Sequence, residues 1–171
     1  DLLYVAFPAY NGGIANLNSD GVSKETAIDI AKFFKNKYID KEHDRTKIVG
    51  NLLNFGFAKH GSNESITEEE ARNFDGEIDV ILAGYIWQTV DENLANDIIK
   101  SASISDAQKI FASWEIFYSD YDVAIGSRNL NQATLVSDPI EVERYSKYLK
   151  SNGGKGMTED GKEVYKIIKG D

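Results

Sequence analysis

Apolar residues recur in blocks separated by polar turns, and the spacing inside each block predicts its element. Leu2 to Pro8 is a short apolar run containing Tyr4, Val5 and Phe7, read as a strand or an extended segment tucked into the core. Pro8, Asn11, Gly12 and Gly13 then break regular structure. Ser23 can cap the helix that follows, in which Ala27, Ile30, Ala31, Phe34 and Tyr38 recur at helical spacing. Beyond a charged joint from Asp40 to Arg45, Ile48, Val49, Leu52 and Leu53 cover one face of a second helix. Gly50 and Gly56 weaken it by about 1 kcal/mol each relative to Ala.

Thr67 and Glu70 form a capping box, in which each side chain satisfies the backbone N–H of the other. Ile78 to Val90 is the most apolar stretch of the chain. Its β-branched content suits a buried strand, but its length exceeds the ~4–8 residues usual for one and favours a buried helix. Asp91 or Asn93 caps a short helix carrying Leu94, Ile98 and Ile99. Ser105 with Gln108 forms another capping box, ahead of Ala107, Ile110, Phe111, Trp114, Phe117, Tyr118 and Tyr121 at three- and four-residue steps. Gly126 reads as the C-terminal cap of that helix, and Asn129 to Asp138 as loop. Asp138-Pro139 with Glu141 opens the next helix, with Val142, Tyr145 and Leu149 inward. A last one begins near Thr158 and carries Val164, Ile167 and Ile168. The sum is an all-α single domain over residues 1–171, a bundle of about six or seven helices with a short extended N-terminal segment. The alternative is an α/β domain in which Leu2–Phe7 and Ile78–Tyr85 are strands, with a ligand site at their C-terminal ends.

Composition narrows the function classes. The chain has 171 residues, 42% hydrophobic and 27% charged, enough apolar content for a true core. Acids number 28 against 19 Lys plus Arg, a formal charge of -9 that disfavours nucleic acid and anionic lipid surfaces through long-range repulsion. Absence of Cys removes disulfide scaffolds, zinc–thiolate sites and cysteine nucleophiles. The stretch between Asp79 and Asp91 is the longest charge-free apolar one, about half of the ~20 residues needed to span a bilayer. A first residue that is Asp suggests an exported, processed protein, periplasmic or secreted.

Several clusters carry residue types suited to chemistry. Asn16-Leu17-Asn18-Ser19-Asp20-Gly21 matches the first half of a calcium loop, but Ala27 stands where a bidentate Glu belongs. Asp75-Gly76-Glu77-Ile78-Asp79 is a second such fragment with Leu82 at the closing position, so both read as turns and no metal site is expected. Glu42-His43-Asp44 places an imidazole between carboxylates, where a His can act as a general base, and His60 lies elsewhere in the same expected helical hairpin. Glu115, Asp120 and Asp122 would suit glycoside hydrolysis if they faced one another across a cleft, and otherwise line the wet face of the Trp114 helix. No nucleophile elbow, Walker loop or dinucleotide fingerprint occurs, and no cofactor is expected.

Two short resemblances accompany these. Val123-Ala124-Ile125-Gly126-Ser127-Arg128 is similar to a stretch in family-2 glycosyltransferases, without the nucleotide-binding sheet those enzymes need. Gly84-Tyr85-Ile86, with Asp91 further on, resembles a stretch in small helical periplasmic immunity proteins that neutralise amidase toxins, without the cysteines typical of them. That resemblance implies a helical toxin-neutralising protein.

The aromatics sit mostly at core spacing, but Tyr suits a wet boundary. Tyr118 and Tyr121, flanked by Asp120 and Asp122, are therefore the candidate partner-binding residues. The expected function is binding of another protein with a basic surface, as an inhibitor or immunity protein, since opposite charge speeds encounter. Alternatives are a structural subunit that forms a homo-oligomer through a helical face, and a hydrolase using Glu or Asp with His43 or His60.

Overall fold

Ile78–Trp87 is a strand (β6), paired antiparallel on both sides: with Leu2–Gly12 (β1) and with Asp44–Lys59 (β4). The computed structural model describes residues 1–105 and 109–170. Among these the frame is two sheets carrying four α-helices, which overturns the expected all-α helical bundle. The larger sheet runs β1-β6-β4-β3, where β3 is Tyr38–Lys41, with Ser65–Ile66 (β5) beside β4. The smaller runs β2-β9-β7-β8, formed by Asp20–Val22 (β2), Val164–Ile168 (β9), Tyr121–Ile125 (β7) and Thr134–Val136 (β8). In it β2 lies parallel to β9, whereas β7 is antiparallel to both β9 and β8.

Each misread element has a physical cause. In β6 the buried set Ile78, Val80, Leu82 and Ile86 alternates with Ile81, Ala83, Tyr85 and Trp87 on the other face. Apart from Asp79 both faces are apolar, so no alternation shows in sequence, as is usual for a central strand. In β4 a register shift between Leu52 and Asn54 makes Leu53 an extra residue. Leu52 lies opposite Gly84 before it, and Phe55 and Phe57 lie opposite Leu82 and Val80 after it. A strand that changes parity in mid-course mimics three- and four-residue steps, hence the expected helix. β9 is buried over its whole length, Lys166 included, so it shows no alternation either. β1 continues through Asn11 to Gly12 with its own shift between Pro8 and Tyr10. From Lys109 to Asp120 the chain forms no helix, and Ala107 and Gln108 lie outside the described residues.

Helix starts were legible where a side chain could cap. Lys24–Ala31 (α1) begins at Ser23, whose hydroxyl accepts from Thr26 N. Glu68–Asn73 (α2) carries the Thr67/Glu70 capping box. Glu92–Ser101 (α3) is capped by Asp91 and Pro139–Ser146 (α4) by Asp138.

The larger sheet has an inner face packed by α1 and α2. Ala27, Ile28, Ile30 and Ala31 of α1 and Ala71 of α2 join Leu52, Phe57, Ile78, Val80 and Leu82 in one buried cluster. Tyr10 closes it: its hydroxyl donates to Ala27 O at 2.8 Å, and burial pushes that hydroxyl's pKa well above the ordinary tyrosine value. The outer face is open, with Tyr4 71% exposed opposite Tyr85, which lies in turn opposite Asn51 and then Tyr38.

Where the sheet backbones come close, glycine is required. A Cβ on Gly84 would stand 2.2 Å from Asn51 O and 2.9 Å from Leu52 Cα, both backbone atoms, whereas one on Gly56 meets nothing within 4 Å. Gly84→Ala should therefore cost about 1–3 kcal/mol through overpacking, while Gly56→Ala stays within about 0.5 kcal/mol of the parent. Urea unfolding midpoints of the two variants check this contrast.

Candidate functional site

The helices cover only one end of the inner face. β1 has 11 residues, about 36 Å at ~3.3 Å per residue, whereas α1 has 8, about 12 Å at ~1.5 Å each. Beyond α1 the inner face borders a cavity of about 1930 Å³. Leu3, Val5 and Phe7 of β1, Leu82 and Ile86 of β6 and Leu52 of β4 form its floor. Leu94, Ile98 and Ile99 of α3 and the irregular segment 109–117 form the facing wall. Trp114 anchors that segment, its ring 4.8 Å from Tyr10 and 6.2 Å from Phe34, centroid to centroid. The volume is roughly twice the upper end of the ~300–1,000 Å³ usual for small-molecule pockets.

The mouth is polar. Lys37, Lys41, Arg45, Lys109 and Lys169 line the cavity with Asp40, Glu42 and Glu115, and Asp91, Asp120 and Asp122 stand against Lys41 and Lys169. Lys41 pairs with Asp91 at 2.7 Å and Lys169 with Asp122 at 2.8 Å, so these two hold the wall as well as the charge. Asp122 first, and Asp120 after it, raise the Lys169 pKa above its ordinary value against the opposing effect of burial.

The β3–β4 turn projects into this mouth. Its two central residues, Glu42 and His43, both have positive φ (56° and 58°). Two-residue hairpin turns of this hand match the sheet twist and normally use Asn-Gly; a non-glycine residue held there costs about 1–3 kcal/mol. The turn was expected as a joint between helices, and it is a hairpin instead. His43 Nε2 lies 3.0 Å from Ser113 Oγ, and His43 Nδ1 lies 3.7 Å from Glu115 Oε1. Arg45 stands 3.7 Å from the other Glu115 oxygen. Ser113 and Glu115 are exposed while Trp114 and Ile116 pack against the core, so alternation along the segment turns both polar side chains to the hairpin.

The other sequence candidates fall elsewhere. Tyr118 sits beneath Lys166, whose Nζ is 5.2 Å from the ring centroid and 3.4 Å from Asp20. Burial opposes the Lys166 charge, but the Tyr118 hydroxyl and Asp20 outweigh it and leave its pKa raised. Tyr121 packs against the Val123–Leu149 cluster at the start of β7, and Asp120 and Asp122 flank Lys169. Asp120, Tyr121 and Asp122 thus lie where β7 begins beside the end of β9, and Tyr118 lies against Lys166 of β9. Asn16 Oδ1 accepts from Asn18 N and Asp20 N, an internal turn, and among the described residues no cluster of three or more acids or His could hold a metal. Asp79, 7% exposed, accepts from Asn11 at 2.5 Å and Gly61 N at 3.0 Å and meets His60 Nδ1 at 2.6 Å. That pair lies outside the cavity. Gly84-Tyr85-Ile86 is in β6, not in the helix its resemblance implies, and Val123–Ile125 is in β7.

Sequence reading missed Ser113, the cations of the rim and the cavity floor. The floor did leave a signal, the alternation Leu3, Val5, Phe7 with Leu2, Tyr4, Ala6 between. No helix among the described residues is long and apolar enough to cross a membrane. Comparison of the chain with family models, with curated proteins and with solved structures gives no match, so function has to be argued from the site.

Asp44 fastens the hairpin. It accepts from Thr46 Oγ1 at 2.6 Å and Thr46 N at 3.0 Å. Those bonds, with Lys47, lower its pKa from 3.8 to about 2. A lowered carboxyl stabilises the fold above its unfolded value and loses that contribution as pH falls through the folded one. The Thr46 amide resonance should therefore hold steady down to about pH 4 and move as pH falls toward 2, and Asp44→Asn should abolish the transition. An NMR pH titration checks both.

Proposed function

We propose that the protein binds an anionic amphiphile, with acyl chain in the cavity and acidic headgroup at the mouth. The observation that carries this reading is an apolar cavity of about 1930 Å³ whose mouth gathers Lys37, Lys41, Arg45, Lys109 and Lys169 on a chain of net charge -9. Apolar side chains otherwise left in water gather at the same rim, including Phe111 at 79% and Phe117 at 87% exposure. Exposed apolar patches of this kind mark binding sites. Filling the cavity removes both ligand and protein apolar surface from water, at ~25 cal/mol per Å². Of the four residues expected to meet a basic protein partner, Tyr118 is engaged with Lys166, Asp120 and Asp122 with Lys169, and Tyr121 with the Val123–Leu149 cluster.

Fluorescence titration with a dansylated fatty acid tests the reading. Saturable binding is expected, with displacement by oleate or anionic phospholipid and weaker displacement by oleyl alcohol, which lacks the charge. Val5 lies on the floor opposite Gly84, where no side chain faces it. Val5→Trp should fill that space and weaken binding about tenfold, equivalent to ~1.4 kcal/mol. Absence of saturable binding in the parent protein would overturn the proposal.

A further inference from the structure

The geometry points to esterolysis at the cavity mouth: we infer that Ser113 is a nucleophile activated by His43, with Glu115 as positioning residue, acting on an ester whose acyl chain occupies the cavity. This rests on the amphiphile-binding reading for its substrate class, and on its own contacts for its chemistry.

Three residues from two distant parts of the chain meet in the order that nucleophile activation requires. Ser113 Oγ stands 3.0 Å from His43 Nε2, within reach for proton transfer. The opposite ring nitrogen, Nδ1, faces Glu115 Oε1 at 3.7 Å, so the carboxylate favours the tautomer with its proton on Nδ1 and leaves Nε2 free to accept. His43 is held by a positive-φ hairpin turn, and Ser113 and Glu115 by the Trp114 anchor between them, so neither wall depends on the other for its position. All three line the cavity mouth, where an ester carbonyl lies if its acyl chain is inside.

The reaction balances with water as the sole co-reactant. Ser113 Oγ adds to the carbonyl carbon as its proton passes to His43 Nε2. The bond to the alcohol oxygen then breaks, and that oxygen takes the proton from Nε2. Water adds to the acyl-serine carbonyl and gives a proton to Nε2; Ser113 Oγ leaves and recovers it. The products are a carboxylic acid and an alcohol, and the acid is the anionic amphiphile that the mouth cations suit.

The test pairs a fluorophosphonate probe with p-nitrophenyl esters of short and long acyl chains. Mass spectrometry is expected to find the phosphonyl group on Ser113, and the long-chain ester to turn over faster than the acetate. Ser113→Ala should remove labelling and turnover, and His43→Gln should lower both at least a hundredfold. Glu115→Gln should lower kcat about tenfold with KM unchanged, and Glu115→Asp should restore part of it, a split that a merely structural role would not produce. These side chains are exposed, and circular dichroism checks that the variants remain folded. If Ser113 stays unlabelled, or Ser113→Ala retains full turnover, while the dansylated fatty acid still binds, esterolysis is overturned and the binding reading stands. If Ser113 is labelled but chain length has no effect and the fatty acid does not bind, the chemistry stands and the cavity reading falls.

Discussion

A sheet face buries itself only as far as another element reaches across it, and here the covering helix is much shorter than the strands. α1 seals the end of the inner face occupied by Ile78, Val80 and Phe57. Leu3, Val5 and Phe7 lie beyond it and remain half-buried. Complete burial of such side chains stabilises a fold by about 1.5–3 kcal/mol each. Leaving them short of it means that the chain alone does not realise that stabilisation. A ligand that supplies the missing apolar contact can, and so the same shortfall that weakens the core makes the site.

The two register shifts decide which side chains reach that face. In β1 the inward set steps from Leu3, Val5 and Phe7 to Tyr10 across the shift after Pro8. In β4 it steps from Leu52 to Phe55 and Phe57 across Leu53. Without an extra residue at each place, every side chain beyond it would turn to the outer face. Tyr10 would then leave Ala27 and lose contact with Trp114. The shifts thus serve both the sealed end of the face and the segment that walls the open end.

Opposite the sheet, the mouth is built by two pieces of chain remote in sequence. The β3–β4 hairpin presents His43 and Arg45, and segment 109–117 presents Ser113 and Glu115. Lys41 to Asp91 ties the hairpin to the N-terminus of α3, and Lys169 to Asp120 and Asp122 ties the end of β9 to the start of β7. Two cations of the rim, Lys41 and Lys169, therefore hold the walls.

The caps were readable because they are local: Ser23, the Thr67/Glu70 pair, Asp91 and Asp138 each bond to backbone within a few residues. The Asn16 turn was readable for the same reason. Strand identity in β4, β6 and β9 was not, because parity shifts and two-sided burial erase the alternation by which a strand is recognised. Nor was the site. His43 was visible as a lone imidazole among carboxylates, but its meeting with Ser113, 70 positions away, depends on how the hairpin and the Trp114 anchor fold against one sheet. The sequence by itself determined the helix starts, the acidic surface and the presence of a substantial apolar core, all properties of neighbours or of totals. The tertiary structure alone decided that the apolar runs pair as sheets and that one face is left partly uncovered, because both depend on contacts between segments far apart in the chain.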